Sequence, residues 1–249
     1  MDAAPPRHAD RTLSIVMPVY NEAATWRSLL DRVLAVPLPG WRKEVILVDD
    51  GSTDGTQDEL RRFAGTLSAG GPSPDAVVRV VFLEKNRGKG AALRAGFAQA
   101  TGDVVVVQDA DLEYDPACIP EITRPIAAGR ADAVYGSRLL SGRTEIYNIF
   151  YLWGNRFLTF LVNLLFGAWM TDSYTCYKAF SAPFLKTLNL SSSGFEIEAE
   201  ISCKIAFKKA RFEEVPAVYA PRSRKEGKKI NFKDAVKGVL KILWLRLIL

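Results

Sequence analysis

DVVVVQDADLE, residues 103 to 113, joins a run of four valines to a cluster of carboxylates. A short, unbroken apolar run suits a strand buried on both faces of a parallel sheet. In open α/β sheets, ligands collect beyond the carboxyl ends of such strands. Asp109 and Asp111, two apart at the strand end, are expected to turn toward one cavity. Hard oxygen donors without His or Cys suit Mg²⁺ or Mn²⁺, and such an ion usually also holds substrate phosphates. The plainer alternative is that Asp109 begins a turn or caps a helix at Asp115-Pro116.

Working outward, strands and helices alternate through the first half. Apolar runs at Leu13–Val19, Glu44–Val48, Val77–Leu83 and Val104–Val107 are separated by helical stretches from Glu22, after Thr56 and from Lys89. This is the βαβ rhythm of a mostly parallel sheet with helices on both faces. The clearest loop is AGGPSPD, 69–75. After Ser137 the rhythm breaks into a long helix, a strand-like Ser173–Phe180, a helix near Glu196–Lys209, a strand Phe212–Tyr219, a basic loop and a terminal helix. Asp49-Asp50 follow the run EVILV, where a carboxylate can accept a nucleobase N–H or bond a ribose hydroxyl. Ser52 to Thr56 read as a turn, with Asp54 as an N-cap. The first strand is followed by Met17-Pro18-Val19-Tyr20-Asn21-Glu22, where a dinucleotide-binding protein would show GxGxxG. Gly88-Lys89-Gly90 lacks the third glycine, which argues against a nicotinamide or flavin cofactor. A helix N-terminus carrying Lys89 is still suited to an anion.

Length and composition agree. The 249 residues, 48% hydrophobic and 24% charged, fit one generous domain or a domain with an appendage. Between Arg222 and Lys229 lie five basic residues and one acid, so eight residues carry +4 of the net +5. The nearly neutral remainder speaks against a nucleic-acid protein. Cys118, Cys176 and Cys203 form no metal or disulfide pattern and point to a reducing compartment. The sole histidine, His8, lies in a Pro-rich tail, so catalysis must run on carboxylates, basic residues and a hard metal. The first residues carry no apolar targeting run. Ile149 to Met170 is long enough to span a bilayer, but Asn148, Asn155, Arg156, Thr159 and Asn163 share one arc of its wheel. With Phe232–Leu249, where lysines recur every four residues, it reads as an interfacial amphipathic helix. The expected organisation is a flexible tail over 1–11, a catalytic domain over 12–230 with an interface helix at 147–170 and a basic active-site loop at 221–230, and a membrane-associating helix over 231–249.

PVYNE at 18–22, VDDGSTDGT at 48–56, NRGKGAAL at 86–93 and QDADLEYDP at 108–116 together resemble the family 2 glycosyltransferases with the Rossmann-like GT-A fold. GSR at 136–138, TDSYTCYKAF at 171–180, FEIEAE at 195–200 and PRSRKEGKKI at 221–230 are similar to the polyprenyl-phosphate branch typified by dolichol-phosphate mannose synthases. The resemblance implies that Pro18, Tyr20, Glu22 and Asp50 line a nucleoside pocket, with Asp50 on the base; Lys89, Gln108 and Ala110 go with them to the donor side. It implies a metal on Asp109 and Asp111, with Glu113 as a third ligand. Arg138, Arg222 and Arg224 would serve the reaction, and with Arg156, Lys228 and Lys229 would hold phosphate and acceptor. Glu196, Glu198 and Glu200 read as mostly structural, one of them orienting a loop arginine.

The implied reaction is inverting transfer of a hexose, mannose or glucose, from a UDP- or GDP-sugar to a polyprenyl phosphate at the cytoplasmic face of a membrane, within cell-envelope glycan synthesis. A hydroxyl acceptor needs a carboxylate base, and no Glu-Asp dipeptide occurs in the chain. A lipid monophosphate, with a second pKa of about 6, is already an anion at neutral pH. Two alternatives stand beside it: a glycan or protein hydroxyl acceptor with Asp172 as base, or a non-catalytic nucleotide-binding membrane module.

Overall fold

The computed structural model describes residues 11–67, 76–142, 149–222, 229 and 231–249. The tail before Arg11, the 69–75 loop, and Arg224, Lys225 and Lys228 of the basic loop lie outside the described residues.

The first half follows its hydrophobic pattern closely. Strands β1 (Arg11–Val19), β2 (Trp41–Asp49), β3 (Ala76–Phe82) and β4 (Val104–Val107) alternate with helices α1 (Trp26–Ala35), α2 (Thr56–Leu67) and α3 (Lys89–Gln99). Arg11, assigned to the tail, already pairs with Trp41. Then come a 3-10 turn at Pro116–Cys118, α4 (Ile119–Ala127), β5 (Ala133–Ser137), α5 (Ile149–Phe166), β6 (Lys178–Ser181), α6 (Ala182–Thr187), α7 (Ile197–Phe207), β7 (Phe212–Pro216) and α8 (Phe232–Ile248). The sheet order is β3-β2-β1-β4-β6-β5-β7, with β6 antiparallel to both neighbours.

Strand periodicity of two builds a core on each face of this sheet. Ile15 and Met17 of β1 pack with Leu29 and Leu30 of α1, Leu60 of α2 and Ile122 of α4. Val16 points the other way, with Val48, Val105 and Val107, toward Leu93 of α3, Leu158 of α5, Ile201 of α7 and Ile242 of α8. Helix α3 sits unusually close to the sheet. A Cβ at Gly96 would meet Val16 at 2.3 Å, so a glycine is required there.

The second half departs from the sequence reading in four places. Helix α4 and strand β5 fall in a stretch to which the sequence reading assigned no element, and Pro120 and Pro125 obscure the helix. The strand expected over Ser173–Phe180 pairs only from Lys178. The buried Lys178 ammonium takes the carbonyls of Ser173 and Thr175, which removes them from the ladder. β7 stops at Pro216, beyond which Tyr219 makes a single bridge to Tyr114. α5 ends at Phe166 rather than Met170, because Gly167 enters the left-handed region (φ +66) and Asn163 bonds both backbone groups of Met170.

Helix α5 carries its polar arc inward. Asn155 donates to Asp172, Thr159 meets Ser173, and Asn163 holds Met170. Trp153, Phe157, Phe160 and Leu164 are left exposed, and α8 adds Phe232, Leu240, Trp244 and Leu247. Trp169 is 94% exposed. Solvent-facing aromatics and leucines this dense on two adjacent helices exceed the scatter usual on a soluble surface. Among the described residues no helix is long and apolar enough to cross a membrane.

Candidate active site

The carboxyl ends of β1, β2 and β4 open into a cavity of about 1180 Å³. One end is polar, lined by Glu22, Asp50, Lys89, Asp109, Asp111 and Arg222. The other is apolar, lined by Leu152, Phe157 and Leu158 of α5 with Phe232, Val236 and Val239 of α8.

The turn after β4 aims its carboxylates by an unusual backbone. Leu112 holds φ +62, a conformation that costs a leucine free energy and is kept where a loop must be directed. Asp111 and Glu113 flank it. Asp111 is pushed up to about 7, first by burial and then by the charges of Asp109 and Glu113, against the partial relief of Arg222. Asp109 accepts a hydrogen bond from Lys89 at 2.8 Å through Oδ2, while its buried Oδ1 has no partner. The turn alternative belongs to Asp115, whose side chain caps the 3-10 helix through the Ala117 amide.

An unpartnered buried carboxylate oxygen beside a second carboxylate raised by burial and by like charge is a pair short of positive charge. Asp109 and Asp111 therefore fit a divalent cation. The expected third ligand is placed otherwise. Glu113 accepts from the Tyr219 hydroxyl at 2.7 Å and from the Arg222 amide at 2.8 Å, so it fastens the start of the basic loop. Among the described residues no three His, Cys, Asp or Glu side chains stand grouped as ready metal ligands.

On the β2 side, both Asp50 oxygens accept backbone amides, from Arg87 and Gly88, at 2.8 Å each. Each oxygen keeps a further lone pair, and Asp50 lines the cavity. Burial raises the Asp50 pKa. Asp54 is structural, capping Thr56 and accepting from Ala23. Pro18, Tyr20 and Ala110 line the cavity as well. Gln108 does not. It is buried behind the turn, its amide directed at the carbonyls of Asp109 and Tyr114.

The N-terminus of α3, expected to be open to an anion, is closed by chain. The Ser193 carbonyl takes the Ala91 amide, and a Cβ at Gly88 or Gly90 would meet the 192–194 backbone at 2.6 Å. Lys89 turns from it into the cavity.

The basic loop is gathered at both ends by one carboxylate. Arg222 binds Glu22 with two hydrogen bonds of 3.0 Å, and Lys229 reaches it at 2.6 Å. Burial would raise the Glu22 pKa, but these two cations outweigh it and hold it low. Arg222 also lies 3.2 Å from Asp111. Deeper in, Arg138 stacks over Tyr219 and grips Asp172 through two bonds of 2.7 Å, with Asn155 adding a third. Asp172 is fully buried; burial is outweighed by Arg138 and Asn155, which keep its carboxyl below the usual range. Arg156, expected to bind phosphate, is exposed and away from the cavity; Asn155, one step around the helix, faces it.

Two residues, Glu198 and Lys178, carry more than the sequence reading gave them, while Glu200 is structural as expected. Glu198 of α7 is buried between Lys178 (2.5 Å) and Lys89 (3.1 Å), and so meets no loop arginine. The signal was present in FEIEAEISCKIAF: a carboxylate inside an apolar helix must be paired. Lys178, in the apolar run YKAF, carried the same signal. Glu200 binds the amides of Ser191 and Ser192 and the ammonium of Lys204.

Residues 14–188 match the model of one family, described as Glycosyl transferase family 2. Over 120 residues the chain is 40% identical to an undecaprenyl-phosphate 4-deoxy-4-formamido-L-arabinose transferase of Pectobacterium carotovorum, covering 48% of this chain and 35% of that protein. A protein of the same description from Pseudomonas aeruginosa is 42% identical over 118 residues, covering 47% of this chain and 33% of that one. The match thus spans about a third of the length of these curated relatives. Glucosyl-3-phosphoglycerate synthase from Mycobacterium tuberculosis, solved with Mn²⁺, UDP and phosphoglyceric acid, superposes with a TM-score of 0.68 at 23% identity, over 96% of this chain and 79% of that one. The same enzyme was also solved with Mg²⁺ and UDP. The shared architecture is GT-A.

Proposed function

The chain belongs to glycosyl transferase family 2, and from that premise we propose that it is a metal-dependent, inverting transferase. It moves a hexose, mannose or glucose, from a UDP- or GDP-sugar to a polyprenyl phosphate at the cytoplasmic face of a membrane. The observation that carries this reading is the two-ended cavity. Its polar end holds carboxylates and cations, and its apolar end runs between α5 and α8 toward their exposed apolar face. A phosphate on a long hydrocarbon matches both ends. The relatives' printed description, transfer to undecaprenyl phosphate, supports the acceptor, and the metal-bound structures support the cation.

Asp50, Tyr20 and Pro18 hold the nucleoside. Asp109 and Asp111 would hold Mg²⁺ or Mn²⁺, and such an ion, when bound, would supply Lewis-acid stabilisation to the departing diphosphate. Arg222 and Lys229, released from Glu22 by the incoming phosphates, add charge-assisted hydrogen bonds to the same anion. Arg138 positions the acceptor phosphate. The acceptor oxygen attacks C1 in line as the C1–O bond to the diphosphate breaks, and the acceptor, already an anion, gives up no proton. Asp172 is poorly placed to serve as a base for a hydroxyl acceptor, since Arg138 and Asn155 occupy both of its oxygens. Apolar insertion of α5 and α8, aided by basic residues worth about 1 kcal/mol each at an anionic leaflet, anchors the chain.

The test is release of nucleoside diphosphate by the purified protein with Mn²⁺ or Mg²⁺. UDP- and GDP-hexoses, and the relatives' own arabinose derivative, are supplied with and without polyprenyl phosphate in detergent. Release that requires the lipid phosphate supports the reading. Nucleotide binding without lipid-dependent turnover removes it.

A further inference from the structure

Lys89 stands between two carboxylates. It donates to Asp109 Oδ2 at 2.8 Å and lies 3.1 Å from Glu198 Oε1. It is almost wholly buried, so it has little water to turn to. Glu198 Oε1 has no hydrogen bond despite that approach, and neither has Asp109 Oδ1. One ammonium is thus shared between two acceptors, bonded to Asp109 and only in ionic contact with Glu198.

Glu198 is itself immobilised. Its other oxygen is held by Lys178 at 2.5 Å, and Lys178 is pinned by the carbonyls of Ser173 and Thr175 and lies 4.4 Å over the Tyr135 ring. The row Lys178–Glu198–Lys89–Asp109 alternates in sign and runs from β6 through α7 and α3 to the turn that carries Asp109.

We propose that Lys89 is the cation that occupies Asp109 while no metal is bound, and that Glu198, held by Lys178, is the seat to which Lys89 turns when a divalent cation takes Asp109. This rests on the metal-dependent reading above. An ammonium hydrogen-bonded to a metal ligand repels the incoming ion and competes for the same lone pairs, so the ion binds well only if that ammonium has another partner within reach. A short rotation of the Lys89 side chain supplies it, and Glu198 then gains the hydrogen bond it lacks. Glu198 is a positioning residue acting through Lys89.

The two partners carry opposite signatures. Mn²⁺ affinity is measured on the full-length protein by the electron paramagnetic resonance signal of free Mn²⁺, with UDP and, separately, GDP present. Lys89→Gln removes the competitor and tightens Mn²⁺ binding; Glu198→Gln removes the alternative seat and weakens it, each by about 10-fold on the scale of groups that support metal ligands. The double variant returns to within a few-fold of wild type. Should Glu198→Gln fail to fold because Lys178 is left unpaired, Glu198→Asp, which keeps the charge but draws back the seat, weakens Mn²⁺ in its place, and Lys89→Gln stands alone. If Lys89→Gln weakens Mn²⁺ binding or leaves it unchanged, the inference is overturned while the metal-dependent reading survives. If wild type binds no Mn²⁺ with either nucleotide, both fall.

Discussion

The two halves of the sheet are built by different rules. From β1 to β4 the order follows local pattern: apolar strands stack in parallel, α1 and α2 cover one face and α3 the other, and carboxylates gather where strands end. From β5 onward, long-range side-chain bonds set the geometry. Asp172 collects Arg138 and Asn155, Glu198 collects Lys178 and Lys89, and Glu214 takes the amides of Thr171 and Asp172. The first half resembles a nucleotide-binding platform; the second encloses it with buried ion pairs and turns its apolar surface outward. A reaction joining a polar donor to a lipid phosphate needs both.

Separate damage to each half sharpens this contrast. The largest effect is expected at the donor side. Asp109→Asn or Asp111→Asn lowers turnover by about 10³-fold, the several kcal/mol that Lewis-acid stabilisation supplies, without weakening vesicle binding. Loss of vesicle binding in these variants would break the division. Next comes the acceptor side: Asp172→Asn removes the buried carboxylate that Arg138 grips with two hydrogen bonds and lowers stability by about 3 kcal/mol, read from urea unfolding. An unchanged midpoint would show the ion pair to be replaceable.

Trp153→Ser, Phe160→Ser and Leu164→Ser combined remove exposed apolar area only. Flotation with anionic vesicles is expected to fall by about 100-fold at roughly 1 kcal/mol per half-buried side chain, with the melting temperature unchanged. A fall in melting temperature instead would place that face inside the protein's own fold. The smallest effect concerns acid. Glu200 is held down to about 2 from 4.5: burial opposes this, but Lys204, Ser192 and Lys241 prevail. A depressed carboxylate contributes stability that is present above its unfolded value and lost as pH falls through its folded one. Wild type therefore loses this contribution between pH 4.5 and about 2, and Glu200→Gln shows a shallower decline of melting temperature across that window.

The same contrast explains what the sequence made legible. Val104–Val107 is a strand to the residue, because four β-branched side chains buried on both faces leave no other reading. β5 escaped notice because AVYGS is short and follows a helix that contains prolines. The polar arc of α5 was visible, but periodicity does not say which face meets water, and the partners that draw the arc inward lie beyond the helix itself. At the site, Glu22, Asp50, Asp109, Asp111, Arg138 and Arg222 were found as residues and do share one cavity. Gln108 and Arg156 were misplaced by a single side-chain direction each. Glu198 was read as mostly structural and Lys178 was not singled out, because the identity of a buried partner is something no linear motif records.

The contact between α5 and α8 bears on how the chain is made. Leu158 and Val162 of α5 are covered in part by Ile242 and Leu245 of α8, and a Cβ at Gly238 would strike the Tyr174 hydroxyl. During synthesis α5 leaves the ribosome well before α8 exists, with its outward aromatics already exposed and its inner face still partly bare. The nascent chain passes through a sticky stage that ends only when α8 docks. Truncation or delay at the C-terminus then acts first on yield, through capture by chaperones and aggregation, before it acts on catalysis.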